Sequence, residues 1–405
     1  MGEVVLRRLQ AGLETVRGTP VAATKKLYGT LTMSREQQRR WAVEDRGMYT
    51  DKFRGNPKLI VAGFTLNHDL TFEDAPYYLA HLLNGTTTAS TVASAASKWV
   101  FNPDVNTDGL KTSTFEAGDD SVAWQAPFCT VDSMAFNMVL DDVLTSSTVG
   151  FCQDWIPQTS SNLTTGFAGY TGSISERSVE SVMGWQSRLY VDNSGGTMGA
   201  TQVTGRHIAA KWNVKNNNKT KYYGDASAVY QLLGRGRRQI DLSITFEALD
   251  TAQYAAFQQS PNLKELLVRE QFIGGAITGS TWGTTSGVIA AGTVTSIPVS
   301  ALAAAIPGGA GISVGGTSFA VTSAGAALNA TAIPVVSQVI PVQIPTTQTV
   351  MAAKTMLFDF YVNLDSFVPG ARDTNTNFTF TGQAIYDSTA GRESQVTIYN
   401  GSSTL

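Results

Sequence analysis

Over most of its length the chain is written in the period of strands. Runs rich in Val, Ile, Thr, Phe and Tyr alternate with polar residues and are cut by Gly, Asn, Asp and Pro. LIVAGFTLNHDL (Leu59–Leu70), HIAAKWNVKNNN (His207–Asn218) and QIDLSITFEA (Gln239–Ala248) each predict a strand. VAWQAPFCTVDSMAFNMVL and TMLFDFYVNLDSFVPG predict two further β-rich runs, and NFTFTGQAIYDSTAGRESQVTIYNG predicts closing strands around a glycine-bearing turn. KLYGTLTMS predicts a strand leading into REQQRRWAVEDRGMYTDKFRG, a charged excursion with Trp41, Tyr49 and Phe53 among its charges. Together they predict a long hairpin reaching out from a core.

Only two segments change period. TFEDAPYYLAHLLNG predicts a helix with Thr71 as cap, Glu73 and Asp74 at its positive end, Gly85 as stop, and Tyr78, Leu79, Leu82 and Leu83 forming a buried stripe. LDTAQYAAFQQS predicts a second helix, stopped before Pro261.

The order strand, charged excursion, strand, helix occurs twice. KTKYYGDASAVYQLLGRGRR is the second excursion, and setting Tyr77 against Tyr254 aligns the copies without large gaps. Two copies of one unit are predicted, with the first at 27–180 and the second at 181–273 and 351–405. Residues 274–350 have no counterpart. They are almost uncharged, and their short Val- and Ile-rich runs predict a small β module inserted into a hairpin whose flanks pair with each other; a disordered loop is the alternative.

Ahead of the first strand, residues 1–26 include ETVRGTPVAAT, which has no helical stripe or strict alternation. They predict an arm with little to bury within its own chain.

Composition narrows the function. The 405 residues carry a net charge of −3, and 15% are charged, against a usual fraction of about 25%. That argues against nucleic-acid binding by phosphate neutralisation, which needs clustered Lys and Arg, and for a surface largely covered by partner subunits. Cys129 and Cys152 do not suggest a disulfide framework and are expected as free, buried thiols in a reducing cytoplasm. No apolar run is long enough to span a membrane, and the start MGEVVLRRLQAG is too charged for a signal peptide.

Candidate chemistry is sparse. His68, His81 and His207 stand in no metal-binding spacing. DVNTDGLKTSTFE begins like a calcium loop at Asp104, Asn106, Asp108 and Gly109, but Phe115 stands where a bidentate Glu is needed, so an Asx-rich turn is expected. GRGRR (Gly234–Arg238) lacks the Lys-Ser/Thr of a phosphate loop and precedes a strand, which suits a solvated turn or a salt-bridging contact. The pairs Asp119/Asp120 and Asp141/Asp142, if on strands, point to opposite faces. No Gly-x-Ser-x-Gly elbow occurs. No enzyme activity and no cofactor are expected.

The arm GLETVRGTPVAATKKLYG, the charged hairpin, LIVAGFTLNHDLTFEDAPYYLAHLLNG, STFEAGDDSVAWQAPFCTVDSMAFNMVL and the closing strands, in that order, resemble the tail tube (major tail) proteins of long-tailed, non-contractile bacteriophages. The resemblance covers most of the chain apart from the insert. It implies a mainly β fold of two tandem tube-type β-sandwich or barrel domains, each with a short flanking helix, plus the inserted all-β module on the exterior. Sheets of neighbouring subunits would join edge to edge around a channel.

The implied function is structural: rings stacked into the hollow tail tube of the virion, assembled in the host cytoplasm, through which DNA passes without specific binding. A chain with two copies implies trimeric rings of pseudo-six-fold appearance, with hexamers as the alternative. Tape measure, terminator and tip proteins are the implied partners. Contacts between subunits and rings are implied at Glu14 and Arg17 of the arm, at Arg35, Arg39, Arg40, Trp41, Arg46, Tyr49 and Arg54 of the hairpin, and at Tyr222, Tyr223, Arg235 and Arg237 of the second excursion. The competing reading is a receptor- or carbohydrate-binding tail protein or adhesin, with Trp282 and the insert as its surface; a hydrolase with an unrecognised site is the third.

Overall fold

The computed structural model describes residues 8–50, 52, 54–84, 88–105, 109–118, 122–158, 174, 176–203, 207–247, 258–259, 262–263, 265–371 and 376–405. The protein is mainly β, 59% strand, with a large antiparallel sheet, small sheets beside it, one short helix and no closed barrel among the described residues.

Two long strands organise it. Ala123–Val139 lies between Ser113–Gly118 and Ile156–Gln158 along its first part, and between Thr145–Cys152 and His207–Lys215 along its last. Arg8–Leu13 adds outside Ser113–Gly118, while Arg54–Asp69 and then Thr30–Ala42 add outside Thr145–Cys152. Thr349–Ala371 is surrounded in the same order. Its first part lies between Glu265–Ala276 and Ser394–Asn400, and its last part carries Thr376–Ala384. Ser187–Asn193 adds outside Glu265–Ala276, while Gln239–Glu247 and then His207–Lys215 add outside Thr376–Ala384.

The two neighbourhoods agree in register as well as order. Each long strand has a bulge at an Asp-Ser pair, Asp132–Ser133 and Asp365–Ser366, directly after a residue facing a glycine: Val131 opposite Gly150, and Leu364 opposite Gly382. A bulge bends the strand and raises its twist, which lets one strand leave one ladder and enter the next.

One layer therefore runs through eight strands, in the order Thr30–Ala42, Arg54–Asp69, Thr145–Cys152, Ala123–Val139, His207–Lys215, Gln239–Glu247, Thr376–Ala384 and the last part of Thr349–Ala371. Its strands alternate as the sequence pattern requires. Met134, Phe136 and Met138, then Ala210, Trp212 and Val214, then Ile240, Leu242, Ile244 and Phe246 are buried, and the residues between them face the other side. Phe136 stacks on its cross-strand partner Trp212, ring centroids 5.2 Å apart, and Phe358 packs on Trp212 at 4.8 Å. Burying each such ring contributes about 1.5–3 kcal/mol.

The helix Ala75–Leu83 begins later than its sequence cap suggests. The Thr71 hydroxyl does accept the Asp74 amide, at 3.0 Å, but turn residues intervene before the first helical residue. Glu73 and Asp74 serve ion pairs with Lys354 and Arg177. All nine helical residues are buried, so the expected one-sided stripe is instead a helix enclosed on every side. The second predicted helix falls largely outside the described residues; at its end Gln258–Gln259 is a strand paired with Asn262–Leu263.

The flanks of the uncharged segment pair with each other, Glu265–Ala276 against Thr349–Ala371. Between them lies a core built from Trp282, Ile297, Leu302, Ile312, Phe319 and Ile333, which closes against Ala93, Ala96 and Tyr399. The opening segment also departs from expectation. Arg8–Leu13 is a strand between Ser113–Gly118 and Lys25–Leu27, with Leu9 and Ala11 buried. An RLQAGL run too short to show a clear period is held between a neighbouring segment and a strand about a hundred residues away.

Candidate assembly surfaces

The hairpin Thr30–Ala42/Arg54–Asp69 projects its outer half beyond the core. No residue of Thr30–Ala42 is fully buried, and the strand runs unbroken through the charged stretch that the sequence marks as an excursion. Near the tip, Glu44 accepts from Arg46 at 2.8 Å and from Arg54. Lys52 Nζ lies 5.9 Å from the Trp41 ring centroid. Trp41, Val43, Met48 and Tyr49 are exposed there, Tyr49 completely. Trp41 lies at the end of the ladder and Val43, Met48 and Tyr49 lie in the turn beyond it, an exposed apolar cluster at the tip.

Arg35 makes a two-pronged ion pair with Asp154, 2.6 and 3.2 Å, while Arg39 and Arg40 are exposed. The second excursion folds back on the first. The Tyr222 hydroxyl donates to Ile60 O at 3.0 Å, and the Ile60 amide donates to Ala228 O at 2.8 Å. Tyr230 and Leu233 pack with Phe128 beneath them, and Tyr223 and Arg237 are exposed. Arg235 lies 3.8 Å from Asp104, and Arg238 pairs with Glu393 at 2.8 Å. These two arginines of GRGRR are thus salt-bridged within the chain.

Glu14 belongs inside the molecule. Its carboxylate accepts from the Thr112 and Thr114 hydroxyls at 2.7 and 2.9 Å and from the Gly18 and Phe128 amides at 2.9 and 2.8 Å. The contact to a neighbour inferred there is replaced by an internal anchor, because a buried carboxylate needs its hydrogen bonds satisfied locally. Arg17 is exposed and donates to Leu110 O at 3.0 Å. Trp282 is buried in the module's core and offers no receptor surface.

The side of the eight-strand layer away from the core is lined by small polar residues. Over its middle strands it forms a hollow of ≈600 Å³ lined by Asn137, Lys211, Asn213, Asp241, Ser243, Thr381 and Gln383 among others. A second hollow beside it, ≈370 Å³, is lined by Asn67, Asn137 and Ser147. Lys215 offsets Asp241 at 3.6 Å. Sequence reasoning overlooked this face; the odd-numbered polar positions of the strands were its signal.

The most strongly shifted titratable groups are buried. His68, His81 and His207 are each pushed down to about 4 by burial. His81 bonds Tyr77 O and Ser113 Oγ, at 2.8 and 2.6 Å. Glu270 is raised to about 8 by burial, opposed by a hydrogen bond from Ser187. Cys129 and Cys152 are free and buried. Asp104 accepts from the Gly109 amide at 2.8 Å and from Asn84; Asn106 and Asp108 lie outside the described residues, as do Asp119 and Asp120. Asp141 and Asp142 sit in a turn, not on a strand as assumed. Among the described residues no group of three His, Cys, Asp or Glu side chains could hold a metal ion, and no helix is long and apolar enough to cross a membrane.

No known protein family matches the chain, and a search of characterised proteins found no relative.

Proposed function

We propose that this protein is a tail tube subunit of a long-tailed, non-contractile bacteriophage, a structural virion protein that assembles into stacked rings around a DNA channel. The observation that carries the reading is the eight-strand layer. It is made of two four-strand groups of identical pairing order, and within the described residues it ends in open edges at Thr30–Ala42 and at residues 366–371. A long open edge invites strand addition.

In this reading each group is the inner sheet of one tube domain. Three chains supply the six sheets of a ring, and the polar face lines the lumen, where Asn, Ser, Thr and Gln side chains and mutually offsetting Lys and Asp charges let DNA slide without gripping it. The hairpin tip, with Trp41 and Tyr49, reaches the neighbouring ring. The inserted module lies on the exterior, and tape measure, terminator and tip proteins meet the lumen and the tube ends.

Negative-stain microscopy of concentrated purified protein tests this. Hollow rings or tubes whose mass per ring equals three chains of 43.2 kDa are expected. Six chains per ring would remove the two-domain reading, and discrete particles that bind cells would replace the function with receptor recognition.

A further inference from the structure

The junction between the two halves of the chain is a pattern for the junction between two chains. Where the groups meet, His207–Lys215 pairs with the last part of Ala123–Val139, with Trp212 opposite Phe136 and Lys215 opposite Ser133. The strand equivalent to His207–Lys215 in the first group is Thr30–Ala42. Met33 faces Phe64, which faces Gly150, as Trp212 faces Leu242, which faces Gly382. The strand equivalent to Ala123–Val139 in the second group is Thr349–Ala371, with Ser366 in the place of Ser133. These two equivalents are the edges to which no further described strand is hydrogen-bonded.

We propose that Leu31–Glu36 of one chain pairs antiparallel with residues 366–371 of a second copy, with Glu36 opposite Ser366. This rests on the tube reading and fixes its register.

A second observation points the same way. Met33 is 41% exposed although it lies on the core side of its strand, as Phe64 does, whereas its equivalent Trp212 is 2% exposed, covered by its cross-strand partner Phe136 and by Phe358 and Phe360. In the proposed pairing Pro369, which has no N–H to give to the ladder, stands opposite Met33 where Phe136 stands opposite Trp212. Arg35 is the departure: it stands where Val214 is buried and is held by Asp154. A one-residue slip would turn every side chain to the wrong face, so the repeat permits one register and excludes its neighbours.

Oxidative cross-linking tests the register. The Glu36→Cys/Ser366→Cys double variant should give disulfide-linked multimers under assembly conditions. Thr32→Cys/Ser366→Cys, displaced about 13 Å along the ladder, should stay monomeric on a denaturing gel, because a disulfide needs Cα atoms within about 7 Å. Equal cross-linking of both pairs overturns the proposal. Tubes without the Glu36–Ser366 link overturn the register while leaving the tube reading standing; wild-type protein that forms no rings or tubes removes both. Should the double variant fail to assemble, hydrogen exchange of wild-type protein decides. The amides of Leu31–Glu36 and of 366–371 that point to the new partner must slow on assembly, Pro369 having no amide to report, and unchanged exchange at either strand overturns the pairing.

Discussion

Phe64 and Gly150 are cross-strand partners, and the phenyl ring occupies the space a side chain on residue 150 would need: a Cβ there would meet Phe64 Cζ at 2.3 Å and Thr130 O at 2.2 Å. The ring crosses from Arg54–Asp69 to the strand beside it and closes the core just where Ala123–Val139 bends at Asp132. Gly150→Ala should therefore destabilise the fold by about 1–3 kcal/mol, the usual cost of overpacking, or more because a backbone oxygen is in the way. Gly195→Ala, with nothing within 4 Å, should be neutral. Equal denaturation midpoints for the two variants would refute the close approach.

Glu14 ties the opening segment to the rest of the chain. Glu14→Ala leaves three buried donors, from Thr112, Thr114 and Phe128, and the part-buried Gly18 amide without their acceptor, and should cost about 3 kcal/mol or more. Removal of residues 1–24 should do worse, since it also takes Leu9 and Ala11 from the core. Chemical denaturation and circular dichroism check both; a truncated chain with wild-type stability would mean that the strand Arg8–Leu13 is not integral.

Buried ionisable groups oppose each other in the pH dependence of stability. The three histidines have folded pKa values near 4, below the unfolded 6.5. Their contribution is present above pH 6.5 and lost as pH falls through 4. Glu270 is raised to about 8 from 4.5, so its contribution is complete below pH 4.5 and lost as pH rises through 8. Glu270→Gln removes that second dependence. Relative to the variant, wild-type protein should lose thermal stability between pH 5 and 8, and parallel Tm profiles would rule the assignment out.

The inserted module should be separable. Thr284 pairs with Thr349, and Gly283 with Val350, so a short Gly/Ser loop can replace residues 285–348 and close a hairpin. The shortened chain should fold and form thinner tubes, with reduced stability because Ala93, Ala96 and Tyr399 lose their cover. Insoluble protein would show that the module's core and the main core fold as one.

The sequence by itself determined the strands and the faces they bury. Period two in QIDLSITFEA fixes which residues point inward, and Gly, Asn and Asp fix where strands end, because both signals are local. Its repeated order of strand, charged excursion, strand and helix suggested two copies of one unit, and the Asp-Ser bulges facing glycines came into view only with the pairing. Only the tertiary structure decided the partners. Alternation reports that Val131 or Leu364 is buried but not against what, and pairing Arg8–Leu13 with Ser113–Gly118 depends on complementarity across a hundred residues. The same limit explains the helix: its sequence shows a stripe, and its complete burial arises because elements distant in sequence cover the remaining sides. The edges that are open among the described residues, at Thr30–Ala42 and residues 366–371, likewise have no local signature; a strand is an edge only once every other strand has found its place.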